Sequence, residues 1–160
     1  MSGSSDPGSA APFPDDGRLM GIDFGTKRIG VAISTPEQNI ASPLENYDRR
    51  NKKLDGEFLA KIAEEYRVMG IVVGLPVHMS GDESQKSRQA RSFGDWLGRR
   101  LKLPVRYWDE RYTSAIAEMY LHEAELTGKK RKARLDMVAA QIMLQSYLDS
   151  DDRSSTPQRF

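Results

Sequence analysis

The sequence contains no cysteine and only two histidines among its 160 residues. The absence of cysteine excludes disulfides, thiolate zinc sites and a cysteine nucleophile. His78 and His122 lie far apart in the sequence, which argues against a histidine-rich metal centre. Any metal in this protein must therefore be held mainly by oxygen atoms, and oxygen ligands favour Mg²⁺ or Mn²⁺.

The chain also lacks any apolar stretch of the length that a membrane span requires. Residues 1–17 have neither the basic nor the apolar segment of a signal peptide. The formal net charge is +1, so the distribution of charge, rather than its total, must indicate any nucleic-acid partner. These absences predict a cytoplasmic protein with no membrane partner.

Both ends of the chain are rich in small and polar residues, and we expect disorder over 1–17 and 150–160. The whole chain is 38% hydrophobic and 29% charged, a balance that suits one core in a globular protein. We therefore expect a single folded domain over 18–149.

Apolar runs and helical spacings predict the element order β-β-β-α-β-α-β-α-α. The predicted strands cover 19–24, 28–34, about 40–47, 68–76 and 105–108. The predicted helices cover about 54–67, about 83–101, a segment that begins near Thr113 or Ser114, and 135–148. The basic run 129–134 is expected to be a link before the last helix. Three antiparallel strands followed by parallel crossovers imply an α/β fold, with a five-stranded mixed sheet and helices on both faces.

The most informative stretch is Leu19–Ile33, which indicates two apolar strands joined by a short turn, with Asp23 inside the first strand. An ionised carboxylate is costly to bury unless it is paired or binds a metal. One interpretation makes Asp23 a metal ligand of a nuclease. Another places it in the phosphate-binding hairpin of a kinase-like ATPase. The simplest makes it a cap for the following turn.

Asp23, Glu110 and Asp136 are expected where strand ends and a helix start could bring carboxylates together. Three crowded carboxylates repel one another unless cations lie between them. Two divalent ions at such a site can stabilise both oxygens of an in-line phosphodiester displacement. Asp109 competes with Glu110, because neighbouring strand residues face opposite sides of a sheet. Asp136 has a simpler explanation, because the macrodipole favours an acid at a helix start.

Basic side chains next to these carboxylates indicate a polyanionic substrate. The competing interpretation is a solvated, charged loop. The residues predicted to contact nucleic acid are Lys27, Arg28, Arg111, Lys130, Arg131, Lys132 and Arg134.

Five segments in order resemble the bacterial YqgF family, and together they span about 19–148. They are Ile22–Ala32, Val72–Pro76 with Gly81, Asp109–Thr113, the basic run Lys130–Arg134 with Asp136, and Ala139-Ala140 with Leu144–Leu148. Proteins of this family are similar to RuvC-type Holliday junction resolvases and are described as pre-16S rRNA nucleases. The chain departs from the family pattern at Thr35 and at Tyr112-Thr113-Ser114, and neither departure removes a predicted ligand.

The resemblance implies an RNase H-like fold with the first strand at its centre. It also implies that Asp23, Glu110 and Asp136 are catalytic residues that hold Mg²⁺ or Mn²⁺, with water as the nucleophile. The choice of Glu110 over Asp109 rests mainly on this resemblance.

The implied function is a metal-dependent endonuclease that processes the 5′ end of pre-16S rRNA, a structured RNA. Holliday junction resolution is a second candidate function, which would use branched DNA and favour a two-fold dimer, and the sequence leaves monomer and homodimer open. A third candidate is a non-catalytic RNA-binding factor in ribosome assembly. A fourth is an actin-like or sugar-kinase-like ATPase, which would need two related domains where this chain has room for one.

Overall fold

The computed structural model describes residues 12–76, 84–110 and 128–154, and over 128–137 it describes the backbone only. Five strands and three helices lie in these ranges. The strands are β1 (Leu19–Phe24), β2 (Arg28–Ser34), β3 (Ala41–Asp48), β4 (Gly70–Leu75) and β5 (Val105–Asp109). The helices are α1 (Lys52–Glu65), α2 (Gln85–Leu101) and α3 (Gly128–Asp149). The helix predicted near Thr113 lies outside the described residues.

The strands form one sheet in the order β3-β2-β1-β4-β5, which places β1 at its centre. β1 is antiparallel to β2 and parallel to β4, and β4 is parallel to β5. This arrangement confirms the predicted mixed sheet. The pairing of β2 with β3 is antiparallel and shifts register between Val31 and Ala32.

Alternating side chains of the strands form two cores, one on each face of the sheet. Met20 and Ile22 of β1 belong to the core that α1 and α2 cover. Leu19 belongs to the core that α3 covers, together with Leu144 of α3. A Cβ atom added at Gly21 would lie 2.9 Å from the Cβ atom of Leu144, so α3 packs directly against the backbone of β1. Helices cover both faces, as the apolar strands predict.

Side chains from both ends of the described chain pack against this fold. The ring of Phe13 meets the ring of Tyr147 edge-on at 6.1 Å between centroids. Arg153 donates hydrogen bonds to Gln38 Oε1 and to the carbonyl oxygen of Leu148, each at 2.9 Å. Packing contacts therefore extend beyond the range 18–149 on both sides.

Helix α3 begins at Gly128, seven residues before the predicted start at Leu135. The prediction of a basic link over 129–134 was therefore wrong. Lysine, arginine and alanine are good helix formers, so this run continues the helix instead of interrupting it. Asp136 consequently lies in the third turn of α3 rather than the first, and the macrodipole at a helix start does not account for it.

Side-chain caps set the starts of the other two helices. Asn51 Oδ1 accepts a hydrogen bond from the Leu54 backbone N–H at 2.9 Å, and α1 therefore begins two residues before its predicted start. Ser84 Oγ accepts a hydrogen bond from the Ser87 N–H at 3.1 Å at the start of α2. Within the described ranges, no helix combines the length and the apolar character needed to cross a membrane.

Replacing Gly21 by Ala should destabilise the protein by about 1–3 kcal/mol, the usual cost of overpacking a core. The added methyl group would press on Leu144 and force α3 away from β1. Thermal unfolding measures the effect, at about 2–4 °C per kcal/mol for a chain of this size. Ser42→Ala, at an exposed position of β3, is the control. An unchanged melting temperature in Gly21→Ala would contradict this packing.

Candidate active site

Asp23 and Glu110 lie on the same face of the sheet, the face that α3 covers. In β1, Leu19 and Gly21 face α3, so the alternation of the strand puts Asp23 on that side. Trp108 of β5 packs in the same core, and Glu110 lies two residues further along the chain. These two carboxylates come from the two strands on either side of β4.

The side chain of Glu110 lies over Gly74 of β4. A Cβ atom added at Gly74 would be 2.7 Å from Glu110 Cγ and 2.8 Å from Glu110 Cδ. The pairing of Ile22 with Val73 puts the next residue of β1, Asp23, beside Gly74. The missing side chain at Gly74 therefore leaves the space in which Glu110 reaches toward Asp23.

The pKa of Glu110 is raised well above its ordinary value. Loss of solvent is the largest cause, and the negative charge of Asp23 and a hydrogen bond with Asp23 raise it further. The charge of Asp109 adds a smaller effect in the same direction. Two carboxylates in contact with little water hold one proton between them, or bind a cation in its place.

Asp109 lies on the other face of the sheet. It pairs with Leu75 of β4, and Leu75 belongs to the core under α1 and α2. Asp109 is only 4% exposed, so it is a buried polar residue on the face of the sheet opposite to Glu110. The sequence left these two acids as competitors, and the structure brings Glu110 to Asp23.

A cleft of about 200 Å³ opens beside Asp23. The cleft is lined by the end of β1, the start of β2, the turn between them and one residue of β3. The lining residues are Asp23, Gly25, Thr26, Lys27, Arg28, Gly30 and Asn46. The ladder pairs Asp23 with Gly30 and Gly30 with Asn46, so these three residues form a row across the sheet. The predicted substrate contacts Lys27 and Arg28 therefore lie at the same cleft as Asp23.

Asn46 is a site residue that the sequence did not reveal. Its Oδ1 atom is shielded from solvent and accepts no hydrogen bond from the described part of the chain. An unpaired buried oxygen costs about 1–3 kcal/mol, which a ligand with a donor or a positive charge would relieve. Only the register of β2 and β3 brings Asn46 to the cleft, and that register contains an irregularity that no local pattern predicts.

Arg49 holds the β1–β2 turn in place from behind. Its backbone N–H donates to the carbonyl oxygen of Lys27 at 2.9 Å, and its guanidinium lies 4.8 Å from the centre of the Phe24 ring. Arg49 Nε donates to Asp55 Oδ2 at 3.2 Å, while the other oxygen of Asp55 accepts from the Arg50 N–H at 2.9 Å. The side chain of Asp55 is only 1% exposed, so this ion pair is largely buried.

The side chains of the remaining predicted site residues lie outside the described part of the chain. Arg111 falls outside the described residues. The backbone of 130–136 is helical in α3, and the side chains of these residues are not described. Among the side chains that are described, no group of three histidine, cysteine or acidic residues could hold a metal ion.

The donor set nevertheless fits a divalent cation. Asp23 and Glu110 provide carboxylate oxygens, and Asn46 adds an amide oxygen without a donor in the same row as Asp23. Hard divalent cations prefer such oxygen ligands. Burial and the neighbouring charge of Asp23 raise the pKa of Glu110, and a bound cation would offset both effects.

The fold and the facing carboxylates define a protein of the RNase H-like class. A solved structure of Thermus thermophilus RuvC matches with a TM-score of 0.52 and 12% sequence identity, covering 88% of this chain and 99% of that one. A family model described as "RuvX: Holliday junction resolvase" matches residues 17–150. The chain belongs to this RuvX family, which confirms the resemblance found in the sequence.

Two similar proteins align with most of this chain. A protein of Rhodopirellula baltica is 43% identical over 138 residues, which are 86% of this chain and 80% of that protein. A protein of Koribacter versatilis is 41% identical over 138 residues, 86% of this chain and 90% of its own length. Both carry the name "Putative pre-16S rRNA nuclease".

Replacing Asp23 by Asn should stabilise the metal-free protein near neutral pH, because it removes the charge that repels Glu110. The pKa of Glu110 is raised in the folded state. Its favourable contribution to folding is therefore complete below the unfolded value of about 4.3 and is lost as the pH rises through the folded pKa. We expect the melting temperature in EDTA to rise by about 2–4 °C, the equivalent of about 1 kcal/mol.

The gain in Asp23→Asn should shrink as the pH falls below the unfolded value of about 4.3, because Glu110 then becomes protonated in both states. Mg²⁺ should stabilise the wild type more than the variant, because a ligand stabilises the state that binds it. Asp48→Asn, at an exposed position, is the control and should leave the melting temperature unchanged. A lower melting temperature of Asp23→Asn at neutral pH would contradict repulsion between the two carboxylates.

Replacing Asp55 by Ala should destabilise the protein by about 3 kcal/mol, the lower end of the cost of breaking a buried ion pair. The lower end applies because the side chain of Arg49 keeps 25% exposure. Denaturant unfolding of both single variants and of Arg49→Met/Asp55→Ala measures the coupling. The double variant should cost less than the sum of the singles, whereas strict additivity would show that the pair is not coupled. Glu57→Ala, exposed on the same helix, is the control.

Proposed function

We propose that this protein is a divalent-metal-dependent endonuclease that hydrolyses phosphodiester bonds in structured RNA, with the 5′ end of pre-16S rRNA as its substrate. The observation that carries the proposal is the contact between Asp23 and Glu110, two carboxylates on one face of the sheet where Glu110 has lost most of its solvent. The reaction type follows from this site and from the RuvX family. The substrate follows from the names of the relatives.

Asp23, Glu110 and Asp136 would hold the cation, Mg²⁺ or Mn²⁺. When bound, the cation supplies charge stabilisation for the transition state and activates the attacking water. Asp23 would orient the cation from the central strand β1, and Glu110 would reach it from the position that follows the edge strand β5. The space above Gly74 allows Glu110 to approach Asp23.

The backbone of α3 supports Asp136 as the third carboxylate. A Cβ atom at Gly21 would lie 3.4 Å from the carbonyl oxygen of Ala140, so α3 crosses β1 at this point. Position 136 is four residues before Ala140 and therefore lies one turn earlier on the same face of the helix. The C-terminal part of α3 contacts the start of β3 through Gln145 and Ala41, so the N-terminal part of the helix runs toward the edge that carries Asp23.

Lys27 and Arg28 would hold the phosphate backbone in the cleft beside Asp23. A carboxylate pair repels a phosphodiester, so cationic side chains and the metal are both needed to bring the substrate to it. The exposed turn that carries Lys27 is held by Arg49, which limits its movement relative to Asp23.

The decisive experiment compares the cleavage of a labelled 16S precursor 5′-leader RNA with that of a four-way DNA junction, in Mg²⁺, Mn²⁺ and EDTA. The wild type should cut the RNA only with a divalent metal. Asp23→Asn and Glu110→Gln should each lower the rate by at least about 100-fold, as expected when a group that stabilises the transition state is lost. Glu45→Gln, an exposed acid of β3, is the matched control and should retain the wild-type rate.

Three different outcomes would assign the protein elsewhere. Paired cuts in the DNA junction, with the RNA intact, would indicate Holliday junction resolution. Equal binding of RNA by wild type and Asp23→Asn, with no cleavage of either substrate, would indicate a binding factor in ribosome assembly. Strong thermal stabilisation by ATP and Mg²⁺ would favour the ATPase.

A further inference from the structure

Five exposed cations lie on a surface that starts at the candidate cleft and continues onto the side of the molecule formed by α1 and α2. We name this surface the basic ridge, and its members are Lys27, Arg50, Lys52, Lys53 and Arg100. Lys27 lines the cleft. The other four lie on the link between β3 and α1, on the first turn of α1 and near the end of α2.

Contacts between neighbouring parts of the chain bring together the segments that carry the ridge. The carbonyl oxygen of Lys27 accepts from the N–H of Arg49, the residue before Arg50. Lys52 Nζ lies 5.0 Å from the centre of the Trp96 ring on α2. A Cβ atom at Gly56 would be 2.9 Å from that ring and 3.6 Å from Arg100 Nε, so α1 and α2 meet there.

No member of the ridge has an ion-pair partner among the residues that the structure describes. Asp55, the acid beneath it, is buried and already paired with Arg49. Asp48 and Glu57 are exposed acids close to the ridge in sequence, and neither pairs with it. The positive charge of the ridge is therefore available to a ligand.

Lys52 and Lys53 lie at the start of a helix, where the macrodipole disfavours positive charge. Both stand in the first turn of α1, where the macrodipole disfavours cations by a few tenths of a kcal/mol to about 1 kcal/mol each. The intrinsic helix propensity of lysine does not require these two positions, and acids there would suit the macrodipole better. Departures from a local rule of this kind are expected where a binding function maintains them.

We infer that the basic ridge binds the phosphate backbone of a double-helical arm of the RNA substrate, while the cleft holds the strand to be cut. This inference rests on the proposed function, because it assumes that the substrate lies in the cleft beside Asp23. Lys27 belongs to both surfaces, so a strand that leaves the cleft over the β1–β2 turn arrives on the ridge. The ridge contacts phosphate groups and therefore does not distinguish base sequence.

The composition of the ridge favours nucleic acid over a membrane. A helix that lies on a lipid surface buries a broad apolar face below its cations. Among the described residues, Leu54, at 38% exposure, is the only strongly exposed large apolar side chain in α1. One partly exposed leucine does not provide such a face.

The test uses the full chain with the triple substitution Arg50→Gln/Lys52→Gln/Lys53→Gln. The matched control, Lys61→Gln/Lys86→Gln/Lys102→Gln, removes the same charge at exposed positions outside the ridge. Binding is measured in EDTA by fluorescence anisotropy at several salt concentrations. One RNA carries the leader next to a duplex arm, and the other is the single-stranded leader alone.

The ridge variant should bind the duplex-bearing RNA at least about tenfold more weakly at low salt. The slope of log K against log salt should fall by about 2–3, since each lost phosphate contact removes about 0.7–0.9. Its binding and metal-dependent cleavage of the short leader should change by less than about twofold, because the cleft is untouched. Trp96 fluorescence should respond to the duplex arm in the wild type only, because Lys52 lies over that ring.

An unchanged salt slope in the ridge variant, or an equal loss in the control, would overturn the inference. Loss of binding to anionic phospholipid vesicles with RNA binding intact would overturn it in favour of a membrane surface. These results can be told apart from a failure of the proposed function. If the protein is not a nuclease, the wild type would cut no RNA. The difference in salt slope between the wild type and the ridge variant would still be measured, and it would support the ridge as an RNA-binding surface.

Discussion

The structure depends on the contact between two like charges, Asp23 and Glu110, at the centre of the sheet. Repulsion and loss of solvent oppose this contact, whereas a hydrogen bond between the two side chains favours it, and all three raise the pKa of Glu110. Features of the surrounding fold keep the pair together: β1 is central, Gly74 leaves room for Glu110, and Gly21 lets α3 close over the same face. The sheet thereby maintains an arrangement that is unfavourable unless a shared proton or a cation offsets the two negative charges.

The buried pair of Arg49 and Asp55 connects the β1–β2 turn, next to Asp23, to helix α1. Arg49 bonds the β1–β2 turn, and Asp55 fixes the link to α1 through the N–H of Arg50. The two surfaces that carry exposed cations, the turn and the first turn of α1, are therefore held by one network. A substrate that contacts both would meet a preformed surface, which lowers the entropic cost of binding.

Local patterns in the sequence predicted the strands closely, because their alternation and apolar content are properties of short segments. The face of Glu110 was not predictable in this way. It follows from the pairing of Leu75 with Asp109, a long-range register. Asn46 was missed for the same reason, since the shift between Val31 and Ala32 decides which β3 side chain reaches the cleft. The predicted start of α3 was wrong because a dense basic run is typical of a solvated loop, although its individual residues favour a helix.

The small net charge of +1 conceals a strong separation of charge. The acids Asp23 and Glu110 lie inside the site, where they suit a cation, while Lys27 lies at the cleft and the rest of the basic ridge leads away from it. A polyanion would be repelled by the acids alone and would be held without selectivity by the cations alone. With a metal bound to the acids, as proposed, the same backbone would meet positive charge both in the cleft and on the ridge. Total charge is therefore a poor guide to nucleic-acid binding in this protein, because the two signs lie at different depths of one surface.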